Sequence, residues 1–202
     1  MKKGIIGAGG FGREIFWSLW DFDRKECIFF VDDKYWDNTD SKILPLSKFN
    51  PEEYEVVVAI ADPYHRESIV NKLPKETKFF THIHPSSQIH GSDVEIGEGS
   101  IICAGSIITT NIKLGKHTHI NLLTTIGHDC IIGDYFTTAP RVQISGNETI
   151  GNRVYFGTCS CMKQKLKICD DVIIGMNAGV VKDITQPGVY IGTPAKKIIH
   201  AN

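Results

Sequence analysis

Apolar residues return at every sixth position along the second half of the chain. Stepping by six from Ile96 meets Ile102, Ile108, Leu114, Ile120, Ile126, Ile132, Thr138, Ile144, Ile150, Phe156, Met162, Ile168, Ile174 and Val180; Thr138 alone breaks the apolar run. A helix of period 3.6 drifts out of phase with this stride, and ordinary strands alternate with period two. Glycine often follows the anchor, as at Gly97, Gly115, Gly127, Gly133, Gly151, Gly157 and Gly175, where it permits close backbone approach or a positive φ at a corner. Four residues after the anchor come small or branched side chains such as Ser100, Thr118, Cys130, Val142 and Ala178, while Glu148 breaks that rule and reads as an irregular turn. The pattern predicts short strands joined by corners, with the anchors stacked inside from coil to coil. That is a hexapeptide β-helix.

Residues 1–82 have another texture. Lys2–Ile6 reads as a strand, followed by a glycine turn and a helix on which Ile15, Phe16, Leu19 and Trp20 share one face. Further strands are predicted at Cys27–Val31, Glu55–Ile60 and Lys78–Thr81, with a helix from Pro63 to Leu73. Strand–helix alternation implies a parallel sheet, here a small Rossmann-like α/β unit. Gly7-Ala8-Gly9-Gly10-Phe11-Gly12 fits G-x-G-x-x-G between strand and helix, with Asp32-Asp33 about 20 residues on. With three or four strands, the unit is short of the two halves that hold a dinucleotide. Its helix start suits the phosphates of a nucleotide or nucleotide-sugar.

Composition narrows the classes. The 202 residues carry a net charge of −1, which offers no footprint for nucleic acid or an anionic membrane. No apolar run nears the roughly 20 residues of a membrane span, so no membrane insertion and a cytoplasmic location are expected. Six cysteines are scattered without a C-x-x-C and read as reduced, small, buried residues.

The repeat, together with the closing segment PGVYIGTPAKKI at residues 187–198, resembles the hexapeptide-repeat acyltransferases. The resemblance implies a left-handed parallel β-helix with three rungs per coil, and homotrimers whose acetyl-CoA sites lie between adjacent β-helices. A Rossmann-like unit with GAGGFGRE, then Asp32-Asp33, then a β-helix with GHDC at 127–130 is similar to the sialic-acid O-acetyltransferase-like group, which includes the bacterial nucleotide-sugar N-acetyltransferases. This similarity covers nearly the whole chain. It implies a nucleotide-sugar-binding domain over residues 1–82 and a β-helix acetyltransferase domain over 83–202. In the first, Gly9, Gly10, Phe11, Asp32 and Asp33 would face the nucleotide-sugar, Phe11 standing where several relatives carry histidine. Acetyl-CoA would meet Thr137, Gly146, Thr158, Gly175 and Met176, with Lys196 and Lys197 near its phosphates.

His128 carries the candidate chemistry. An acceptor attacking a thioester must lose a proton, and imidazole titrates closest to neutrality. The GH[DE]C setting implies that His128 is the general base, that Asp129 raises its basicity, and that Asn121 lies nearby. Neighbouring side chains on a regular strand diverge, so contact between His128 and Asp129 requires a turn. The expected reaction is acetyl transfer to the amino group of a sugar in surface-glycan biosynthesis, without metal. Three rivals differ in class: a sugar O-acetyltransferase, a zinc protein of the γ-carbonic anhydrase type, for which His117 and His119 would face outward beside His128, and a non-catalytic nucleotide-binding scaffold. His82, His84 and His90 read as junction surface.

Overall fold

In a computed structural model, which describes residues 1–198, the six-residue stride winds into a left-handed parallel β-helix. Strands of two or three residues alternate with corners of four or three, six residues from anchor to anchor, so that each coil takes eighteen residues: Ile112 pairs with Cys130, Ile107 with Thr125, and His119 with Thr137. Three parallel faces result. One carries Ile101–Ile102, His119–Ile120, Thr137–Thr138, Tyr155–Phe156 and Val172–Ile174; the second runs from Gln88–Ile89 through Thr125–Ile126 to Gly179–Val180; the third runs from Val94–Ile96 through Cys130–Ile132 to Lys167–Ile168. The anchors stack into one core from Ile102 to Val180. Each buried Ile contributes roughly 1.5–3 kcal/mol. Thr138, the polar anchor, is also buried, and its hydroxyl accepts a hydrogen bond from the backbone N–H of Asn121 at 2.9 Å.

The corners separate the two uses of glycine. Positive φ falls three residues after each anchor from Ile96 to Ile174, mostly on other residue types: Asn111 (51°), Leu123 (57°), Asp129 (60°), Asn147 (64°) and Asp171 (65°). Glycine one residue after the anchor serves close stacking instead. A Cβ on Gly115 would lie 2.5 Å from the Gly133 carbonyl carbon in the next coil. Glu148 does not mark an irregular turn. Thr149 stays in register with Lys167, and the Glu148 side chain points into the core, 1% exposed.

The N-terminal unit, Met1–His82, is an α/β fold. Its strands β1 (Lys2–Ile6), β2 (Ile28–Val31), β3 (Ile43–Pro45), β4 (Tyr54–Val58) and β5 (Lys78–Phe79) form a parallel sheet in the order β3-β2-β1-β4-β5. Helix α1 spans Gly10–Ser18, α2 Asp21–Glu26 and α3 Pro63–Val70. Strand β3 has no counterpart in the sequence reading. Trp20 does not share the buried face of α1. The helix ends at Ser18, Leu19 turns extended, and Trp20 becomes the N-cap of α2 at 71% exposure. Gly12 packs α1 against β1, where a Cβ would run into the Gly7 carbonyl oxygen. No helix among the described residues is long and apolar enough to cross a membrane.

Candidate active site

The corner Gly127–Asp129 joins the strands Thr125–Ile126 and Cys130–Ile132. Asp129 takes the left-handed conformation at φ 60°, which supplies the turn that brings its side chain to its neighbour's. His128 Nδ1 lies 2.6 Å from Asp129 Oδ2. The backbone is fixed from both sides: Asp129 N–H donates to Thr110 O at 3.1 Å, and His128 O accepts from Asn147 N–H at 2.7 Å. With Nδ1 engaged, Nε2 is the nitrogen left for chemistry. The Cε1–Nε2 edge of the ring sits over Gly146, where a Cβ would approach both atoms to 2.8 Å. Gly146 therefore makes room for the imidazole. Asn111, which the sequence reading missed, donates from the preceding coil to Asp129 Oδ1 at 2.6 Å. The Asn111 amide, followed by His128, holds the Asp129 carboxyl below its ordinary value, so Asp129 stays an acceptor for the ring.

The remaining β-helix candidates lie elsewhere on the coil. Asn121, Thr158, Gly175 and Met176 follow anchors on the first face and line a different corner column from the one that holds His128, Asp129 and Gly146. The Asn121 side-chain oxygen accepts from Leu122 N–H at 2.7 Å. Thr137 is buried on the first face, its hydroxyl 3.5 Å from Tyr135 O. Lys196 and Lys197 are exposed. Within one chain, then, the two columns stay apart.

His117 and His119 do not face outward. Both are buried, and His117 stacks on Tyr135 with ring centroids 5.3 Å apart. Among the described residues no group of three His, Cys, Asp or Glu is placed to hold a metal ion. The cysteine expectation needs one correction: Cys27, Cys103 and Cys130 are buried, but Cys159 and Cys161 are exposed. Burial pushes the Cys130 thiol up to about 11, which keeps it inert beside the imidazole corner.

In the N-terminal unit a cavity of about 410 Å³ opens past the ends of β1 and β2. The strand order reverses between β1 and β4, and in open α/β sheets ligands bind outside the carboxyl ends of the strands at such a switch point. Gly7, Ala8, Gly9, Asp32, Tyr35, Asp37, Thr39 and His65 are among its lining residues. A Cβ on Gly9 or Gly10 would meet nothing within 4 Å. The acid pair divides. Asp32 lines the cavity, whereas the Asp33 carboxylate accepts from Ser47 N–H at 3.0 Å and is held low by Ser47. Gly10 and Phe11 open α1 and are not among the lining residues. Tyr35, Asp37, Thr39 and His65 escaped the sequence reading because no motif marks them: the first three lie in the 3₁₀ turn and connection after β2, and His65 in the first turn of α3.

Residues 4–73 match the family described as the PglD N-terminal domain. GDP-perosamine N-acetyltransferase from Escherichia coli O157:H7 is 32% identical over 172 residues, which is 80% of this chain and 77% of the relative. WeeI from Acinetobacter baumannii AYE superposes with a TM-score of 0.87 at 32% identity, covering 98% of this chain and all of that one (100%). PerB from Caulobacter crescentus, solved in complex with CoA and GDP-perosamine, superposes with a TM-score of 0.86 at 25% identity over 98% of this chain and 97% of its own.

Proposed function

This chain belongs to the hexapeptide-repeat nucleotide-sugar N-acetyltransferases, and on that premise we propose that it transfers an acetyl group from acetyl-CoA to the amino group of a nucleotide-linked sugar in surface-glycan biosynthesis. The nucleotide end of the substrate is assigned to the cavity at Gly7–Gly9 and Asp32. The open space at Gly9, which lines the cavity, supports this, since the protein's own atoms leave it free. Backbone N–H groups at the start of α1 suit a diphosphate. The guanosine-linked substrate of two relatives fits the same assignment.

The observation that carries the chemistry is the His128–Asp129 pair at an exposed corner. As the acceptor nitrogen attacks the thioester carbonyl, a C–N bond forms and the carbonyl oxygen takes negative charge. His128 Nε2 accepts the proton lost by the amine. Collapse of the tetrahedral adduct breaks the C–S bond, and the same nitrogen returns a proton to the departing thiolate. Asp129 stabilises the imidazolium and fixes the tautomer through Nδ1.

We assign the working form to a homotrimer. The acetyl-CoA candidates Thr158, Gly175 and Met176 share a corner column with Asn121, apart from His128. A second copy laid alongside would bring the two columns face to face. Leu123 and Met176, both exposed, would then be covered.

Release of CoA thiol is measured with guanosine- and uridine-diphosphate amino sugars and with their hydroxyl counterparts. Turnover is expected with an amino sugar. His128→Ala should cut kcat by roughly 10²–10⁴-fold while acetyl-CoA binding persists. Unchanged turnover in that variant removes His128 from the role, and turnover with the hydroxyl sugars alone replaces the amine acceptor.

A further inference from the structure

The structure assigns Asn111 a part in this reaction: we propose that it is a positioning residue, whose side-chain amide locks the Asp129 carboxylate so that the His128 ring presents Nε2 to the acceptor. The proposal rests on the reading of His128 as the base.

Three groups form a chain of contacts across two coils. Asn111 Nδ2 donates to Asp129 Oδ1 at 2.6 Å, and Asp129 Oδ2 meets His128 Nδ1 at 2.6 Å. A carboxylate held at one oxygen only can rotate about χ2, which is broad for Asp. Held at both, it fixes the ring plane and the tautomer. The two corners are in register, because Ile112 pairs with Cys130, and Asn111 and Asp129 share the left-handed conformation. The contact is therefore set by the coil repeat.

The surroundings sharpen the choice of residue. On the other side of Asn111 lies Asp93, whose two oxygens accept from Thr110 Oγ1 at 3.1 and 2.9 Å and whose carboxyl is held low first by the Asn111 backbone N–H. The coil beyond Asp129 presents Gly146 and Asn147 at this corner. The titratable groups on the coils at and next to Asn111 are thus His90, Asp93, Asp129 and His128, with Lys163 and Lys165 following in the coil after Gly146. A neutral donor between two carboxylates binds one without repelling the other, and a third carboxylate would face both.

Asparagine also suits a left-handed corner on its own account, as Asn147 and Asn177 illustrate. Two variants separate that role from positioning. Asn111→Gly keeps the backbone conformation and removes the amide. Asn111→Asp keeps the shape and replaces the donor with an acceptor. Both are compared with the parent in the full-length protein by kcat, KM, the pH profile of kcat/KM, and the ¹⁵N NMR signals of the His128 ring. With Asn111→Gly, kcat should fall roughly 10- to 100-fold, the cost of a small misplacement of a reacting group, with KM for acetyl-CoA unchanged. The ring signals should move towards a mixture of tautomers. With Asn111→Asp, the added negative charge favours the imidazolium and should move the acid limb of the profile to higher pH. Parental kcat, profile and ring signals in both variants overturn the proposal while His128→Ala remains inactive. An active His128→Ala overturns the reading beneath it instead.

Discussion

In the coil, a Cβ added at Gly115 meets the backbone of Gly133 at 2.5 Å, and one added at Gly157 meets Met176 N at 2.6 Å. In the N-terminal unit, a Cβ added at Gly9 or Gly10 meets nothing within 4 Å. The same residue type is thus required by the protein's own stacking in one region and leaves vacant space in the other. Glycine near a strand end marks a ligand loop only where the fold does not itself use the room. Gly7-Ala8-Gly9-Gly10-Phe11-Gly12 contains both kinds, since Gly12 is consumed by packing and Gly9 is not.

The sharpest way to break this contrast is substitution at both places. Gly115→Ala should destabilise the coil at or above the upper end of the roughly 1–3 kcal/mol typical of overpacking, because backbone in a stacked ladder cannot move aside. A shift in the urea midpoint measures it, and a shift below about 1 kcal/mol would refute the stacking role.

Buried charge extends the comparison. The N-terminal unit buries Arg66, which donates to Ile60 O at 2.6 Å and Ala61 O at 3.1 Å and so ties down the loop before α3. The coil buries Glu148, where one oxygen accepts from Leu166 N–H at 2.8 Å and the other has no partner among the described residues. Desolvation pushes this carboxyl from 4.5 up to about 7. The folded state then binds the proton more tightly than the unfolded chain. Stability from this group is full below pH 4.5, declines as pH rises towards 7, and is level above. The loss is on the order of 3 kcal/mol at most. Glu148→Gln should flatten that part of the stability–pH curve, and an unchanged slope would show that Glu148 does not titrate there.

The smallest effect on folding is expected at Gly9. Its φ of −68° is open to any residue, so Gly9→Ala should change stability by less than about 1 kcal/mol. Calorimetric titration with a guanosine-diphosphate sugar should nevertheless show weaker binding. Undiminished affinity would separate this loop from the nucleotide.

The coil was legible because a six-residue stride admits one structural explanation, and residues as far apart as Ile96 and Val180 obey it. His128 and Asp129 were legible as neighbours in GHDC. Asn111 was not, since its bond to Asp129 spans eighteen residues and appears only once the coil length is taken as a ruler. Glu148 was misread because a carboxylate at an inward position looks like a broken rule, whereas neighbouring coils hold the backbone and leave the side chain no exit. In the N-terminal unit, Asp32 and Asp33 look alike in sequence; the short 3₁₀ turn Asp33–Tyr35 parts them. Strand β3 escaped notice because three residues carry too little pattern to register.

Pairing at a fixed interval also limits how such a chain can change in length. A one-residue insertion in a rung would turn every later anchor out of the core, so growth or shrinkage without disruption comes in whole coils. Duplication of one coil beyond residue 150 would lengthen the prism and carry the closing segment outward. The corner that bears His128 would keep its neighbours on both sides, which lets overall size evolve separately from the His128–Asp129 pair.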